Sequence, residues 1–160
     1  MAHKHNIKAF QVGTKTSEKL LKLYSSLVVI ELTIKDNLRQ KQGTWPGIRH
    51  DIKRGIDDLF PDSDPLPDRI FSPQPAIINQ LKADTGKLET DLRSLYCTGA
   101  SGLSQEVRIT SYPDIRYLRH NSDDHNEHSG ETTEESLDNA LATVQSIISG
   151  LIKLSLLSGE

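Results

Sequence analysis

A single cysteine, Cys97, stands in the whole chain, so no intrachain disulfide can form and the sequence fits a reducing compartment, with the cytoplasm as the expected setting. A cysteine-based triad is unsupported too, because no His lies near Cys97 along the chain. No run approaches eighteen consecutive apolar residues, and the opening Met-Ala-His-Lys-His-Asn lacks the apolar core of a secretion signal, so neither a membrane span nor export is indicated. The glycines follow no phosphate-cradling spacing, Thr98-Gly99-Ala100-Ser101-Gly102 being too loose to count, and no cofactor is expected. Neither sign of charge dominates: the formal net charge of -3 argues against a protein held to nucleic acid by bulk charge alone.

The balance hides an asymmetry. Residues 1–56 carry eleven Lys/Arg against four Asp/Glu, and residues 57–160 carry eight against eighteen, which makes +7 followed by -10. Solvated helix faces account for this, and so does a basic front half that forms one rim of a phosphate-binding groove, with Lys35, Arg39, Lys53 and Arg54 along it.

A length of 160 residues supports one domain with one core. Residues 1–15 read as a flexible N-terminal segment and 16–158 as a single helical domain. Apolar residues recur at helical spacing from Leu20 through Leu23, Leu27, Ile30 and Ile34 to Leu38, which predicts a long first helix capped by Thr16. Gly43 and Trp45-Pro46-Gly47 end it. Ile48, Ile52, Ile56 and Leu59 predict a short second helix with His50 on its polar, surface side. The proline-rich run Pro61–Pro67 is a loop. Ser72-Pro73 opens a third helix along Ile77, Leu81, Leu88, Leu92 and Leu95, weakened at Gly86. Val107–Ile109 reads as a short extended piece. Thr132 and Glu135 have capping-box spacing ahead of a last helix along Leu137, Leu141, Val144, Ile148, Leu151 and Ile152. The expectation is an all-α, antiparallel four- to five-helix bundle.

Reactive side chains concentrate between Tyr112 and His128, which holds Arg116, Arg119, His120, His125 and His128. Far upstream, Glu31 falls on or beside the buried seam of the first helix, where a carboxylate is costly unless paired. Two readings fit it: a bridge to Lys35 at i+4, or a carboxylate that orients an Arg or His of the Tyr112–His128 stretch. A metal site built from His120, Asp123, Asp124, His125 and His128 is a further reading of that stretch, equally the composition of a solvated linker.

The Glu31-bearing first helix, the short second helix after Trp45-Pro46, the pair Arg116-Tyr117 and the helix from Leu137 to Ile152 together resemble the HEPN family, the higher eukaryote and prokaryote nucleotide-binding domain. Many members are metal-independent ribonucleases marked by an Arg, a polar residue directly after it, and a His with four to six residues between it and the Arg. Arg119-His120-Asn121-Ser122-Asp123-Asp124-His125 has that spacing, with five residues between Arg119 and His125. The resemblance implies that His125 moves a proton, that Arg119 steadies phosphate charge, and that Glu31 and His120 support them, with no metal. Two departures stand out: the motif lies well before the cap at Thr132, and its acidic interior repels phosphate. Other members are non-catalytic RNA- or nucleotide-binding modules, in which Arg116 and Tyr117 would hold phosphate and stack a base. The resemblance further implies a homodimer, and a protein partner such as an antitoxin or a nucleotidyltransferase, in a bacterial-type stress or defence setting.

Overall fold

A computed structural model describes residues 14–61, 73–99, 101–119 and 132–158. Helix α1 spans Thr14–Gln42, α2 Ile52–Leu59, α3 Pro73–Arg93 and α4 Glu134–Lys153. Between α3 and α4 lie a small antiparallel hairpin, β1 (Tyr96–Thr98) with β2 (Ser104–Glu106), and a 3-10 segment over Ile109–Tyr117. The described residues are mostly helical, with one two-stranded sheet among them. Among the described residues no helix is long and apolar enough to cross a membrane.

The periodic residues of α1 form the core as their spacing dictates. Leu23, Leu27, Ile30, Ile34 and Leu38 are wholly buried, against Ile52 and Ile56 of α2, Leu88 and Leu92 of α3, and Val144 and Ile147 of α4. Gly43, at φ +80°, closes α1 in the left-handed turn that glycine adopts without steric cost, its N–H reaching Arg39 O at 2.7 Å. Gly55 sits where a β-carbon would come within 2.5 Å of Ile34 Cγ2 and 2.8 Å of Ile48 Cδ1, so its bare backbone lets α2 lie close on α1.

Helix directions depart from a simple antiparallel bundle. Helices α3 and α4 do run antiparallel, since Asp91 meets Thr143 while Asp84 meets Ser146. Helices α1 and α4 run parallel: Thr16 and Lys19 bond Glu134 at their starts, and Asn37 Nδ2 donates to Leu156 O near their ends, at 3.2 Å. The long connection through the hairpin and the 3-10 segment makes this return possible.

Several boundaries differ from expectation. Thr16 lies inside α1 and hydrogen-bonds Glu134 instead of capping. The second helix begins only at Ile52, capped by Asp51 Oδ1, which accepts from Arg54 N at 3.0 Å. Helix α3 continues through Gly86, and the extended piece falls at 104–106. Thr133, not Thr132, caps α4, accepting from Ser136 N at 3.1 Å. Thr132 is instead buried and clasps the backbone of Tyr96, accepting from its N–H at 2.8 Å and donating to its carbonyl at 3.1 Å.

Candidate functional site

Glu31 is the buried carboxylate on which three chain segments converge. From its own helix, Lys35 Nζ donates to Oε2 at 2.8 Å, which is the i+4 bridge. From the turn before α2, His50 Nδ1 stands 2.8 Å from Oε1. From the 3-10 segment, the Tyr112 hydroxyl donates to the same oxygen at 2.5 Å. The Tyr112 ring packs edge-on against His50, with centroids 5.5 Å apart, and tilted against Tyr24 at 6.2 Å.

Local sequence explains how each group arrives. Position 31 falls on the buried side of α1, so its carboxylate lies where the core meets the α1–α2 turn. Arg49 takes a left-handed backbone, φ +55°, which a residue with a β-carbon adopts at some cost. That turn, closed by Asp51 N to Ile48 O at 3.1 Å, swings His50 toward Glu31. Pro113 follows Tyr112 within the 3-10 segment, whose three-residue period turns Tyr112 and Ile115 inward together.

The electrostatics follow from the donors. Burial pushes the Glu31 carboxyl upward, but hydrogen bonds from Lys35, Tyr112 and His50, with the Lys35 charge, outweigh it and hold the group below its ordinary value. An ionised carboxylate only accepts, so the 2.8 Å contact is a hydrogen bond from a protonated Nδ1 of His50. The His50 side chain is 48% exposed while that of Glu31 is 9% exposed. Burial, together with the Glu31 hydrogen bond and charge, raises the Tyr112 hydroxyl well above the usual tyrosine range, so it stays a donor. This is a solvent-facing imidazole fixed by a buried anion, an arrangement suited to taking or giving a proton.

Two Arg–aromatic pairs accompany the cluster. The Arg39 guanidinium lies 5.9 Å from the centre of the Trp45 ring, which is 59% exposed. Arg39 is two turns beyond Glu31 along α1, about 12 Å at the helical rise. The Arg116 guanidinium lies 5.6 Å from the centre of the Tyr117 ring, 52% exposed, while its Nε donates to Pro113 O at 3.1 Å. Arg116 is one turn past Tyr112 in the 3-10 segment.

The expected site residues are placed as follows. Glu31 meets a His, but it is His50, exposed as its polar side predicts, and not one from the Tyr112–His128 stretch. From the Tyr112–His128 stretch it receives Tyr112, not an Arg. Arg119 is half-buried in a short extended piece beside β1: its N–H donates to Tyr96 O at 2.7 Å and its carbonyl accepts from Thr132 N at 2.8 Å. His120 and His125, like Asp123, Asp124 and His128 of the metal reading, lie outside the described residues. Among the described residues no group of three metal-ligating side chains comes together. Sequence reasoning missed His50 and Tyr112. The available signal was Glu31 itself, since a seam carboxylate needs more donors than one lysine supplies.

No protein-family model, no curated protein and no solved structure matches the chain.

Proposed function

We propose that the chain is a HEPN-like domain that engages RNA through its phosphates and cleaves it without a metal. The observation that carries this reading is the half-exposed His50 held at 2.8 Å by buried Glu31. In such a reaction Nε2 of an imidazole removes the proton from a ribose 2′-hydroxyl, the 2′-oxygen attacks phosphorus, and the bond to the 5′-oxygen breaks as that oxygen gains a proton. A guanidinium stabilises the charge that builds on the phosphoryl oxygens. Arg119 is the proposed guanidinium, and His125, outside the described residues, the proposed partner for the leaving oxygen. Leu21, Val29 and Leu32, left exposed on α1, support the homodimer that belongs to the same proposal.

The test is cleavage of a mixed single-stranded RNA pool in EDTA. Wild type cuts, and His50→Ala, His125→Ala and Arg119→Ala each lose the activity. No cleavage by pure wild type overturns the enzyme reading.

A second reading, a binding module without turnover, is favoured by the two Arg–aromatic pairs, each with an exposed ring, which combine a phosphate fork with a stacking face. Fluorescence anisotropy with the same RNA separates the two: binding without cleavage selects the module, and Trp45→Ala together with Arg39→Ala weakens it.

A further inference from the structure

Between the hairpin and the 3-10 segment lies an open cleft of about 540 Å³, lined by Thr98, Gly99, Gln105, Asp114 and Tyr117. Its size falls inside the roughly 300–1,000 Å³ range of small-molecule sites. Tyr117 forms one wall, and the Arg116 guanidinium already occupies one face of that ring. Tyr117 is 52% exposed, so part of its ring is open to a flat ligand.

The polar groups of the cleft are set in advance. The Gln105 side chain folds over Gly99, where a β-carbon would come within 2.5 Å of its Oε1 and 2.8 Å of its Cδ. Gln105 pairs across the hairpin with the buried Cys97. Glycine at 99 is therefore what lets the Gln105 amide lie where it does. The one carboxylate lining the cleft is that of Asp114, from the 3-10 segment.

A carboxylate repels phosphate and accepts N–H groups, so it is the base of a nucleotide that belongs here, with its phosphate left to the Arg116 side. Guanine alone among the four common bases offers two adjacent N–H donors, at N1 and N2, that match the two oxygens of a carboxylate. A planar amide beside that carboxylate supplies a donor for a neighbouring carbonyl such as O6. Stacking on tyrosine suits any base and so adds affinity without choice.

We infer that the cleft beside Tyr117 is a nucleobase pocket that selects guanine through Asp114, with Gln105 and the Tyr117 ring as its other walls. The inference rests on the RNA-engaging reading above and names the base that reading leaves open.

The experiment is titration calorimetry of the full chain with GMP, AMP, CMP and UMP, beside anisotropy with a mixed-sequence single-stranded RNA. GMP binds tighter than the other three by roughly tenfold, the worth of a bidentate base contact. Asp114→Asn abolishes that preference while the mixed RNA still binds. Gly99→Ala, which displaces the Gln105 amide, narrows it, and Tyr117→Ala weakens all four nucleotides alike. Circular dichroism melts establish that each variant is folded. Equal affinity for the four nucleotides, with mixed RNA bound, overturns the guanine pocket and leaves the RNA reading standing, as does an undiminished preference in folded Asp114→Asn. Binding of neither nucleotide nor RNA overturns both.

Discussion

The Tyr112 hydroxyl donates to Glu31 Oε1 at 2.5 Å across 81 positions of sequence, and both residues are buried. The bond ties the 3-10 segment to α1, and the His50 turn joins at the same oxygen. Removing either partner leaves the other without its contact in a low-dielectric setting.

Tyr112→Phe keeps the ring packing against His50 and Tyr24 and deletes only the donor. A hydrogen bond to a charged group contributes about 1.5–3 kcal/mol, and a loss of that size is expected in urea unfolding at neutral pH. Glu31→Gln costs at least as much, because it strands the largely buried Lys35 ammonium.

The pH dependence has a definite sign. Glu31 titrates lower in the folded chain than in the unfolded one, so its stabilising contribution is present above the ordinary carboxylate value, 4.5, and is lost as the pH falls through the lower folded value. Tyr112 titrates higher when folded, so its contribution is present below the ordinary tyrosine value, 10.0, and is lost only as the pH rises above it toward the raised value. Melting temperature against pH should therefore drop on the acid side in wild type and drop less in Glu31→Gln. Equal acid slopes in the two proteins would remove Glu31 from the account.

Gly55→Ala tests the close approach of α2 to α1. A methyl at 55 meets Ile34 and Ile48 at well under contact distance, so the helices must part. Overpacking of this kind costs about 1–3 kcal/mol, more than the helix-propensity gain of replacing glycine. Because His50 enters through the turn before α2, the same variant loosens the imidazole, and its amide signals in NMR spectra should shift with those of Ile34.

Thr132→Val removes the hydroxyl that clasps Tyr96 while keeping its shape. The Tyr96 N–H then lacks its partner in a half-buried place, at about 1 kcal/mol. Hydrogen exchange at Tyr96 should quicken more than at Leu92, whose helix is untouched.

The α1 stripe was legible because Leu20, Leu23, Leu27, Ile30, Ile34 and Leu38 sit on one uninterrupted seam, and each is buried. The last helix was legible in place and less so in rotation. Ala140 and Ile147 are buried with Leu137, Val144 and Leu151, whereas Leu141 and Ile148 are only partly covered and Ile152 is exposed. An apolar band wider than its neighbours can cover does not say which edge faces inward. Glu31 announced itself as a buried carboxylate, but its donors could not be named from local pattern. His50 arrives through a left-handed Arg49 and Tyr112 through a 3-10 turn, and neither geometry leaves a periodic trace. The Thr132 capping box failed for a related reason: two consecutive threonines offer the same chemistry, and the Tyr96 backbone claimed the first of them.

Helices α1 and α4 begin side by side and end side by side, which has a consequence for the order of assembly. A hairpin of helices can form as soon as its turn is made, but a parallel pair must wait for everything in between. Here the element that completes the core is the last helix of the described residues, and it docks on the first across 118 positions, from Thr16 to Glu134. Such distant closure is slow compared with a bundle of successive hairpins. During synthesis the apolar seam of α1 therefore stays only partly covered, by α2 and α3, until α4 emerges, and the Glu31 cluster, which needs Tyr112, is assembled late as well. A nascent chain short of Tyr112 lacks one of the three partners of Glu31, and one short of α4 lacks a finished core.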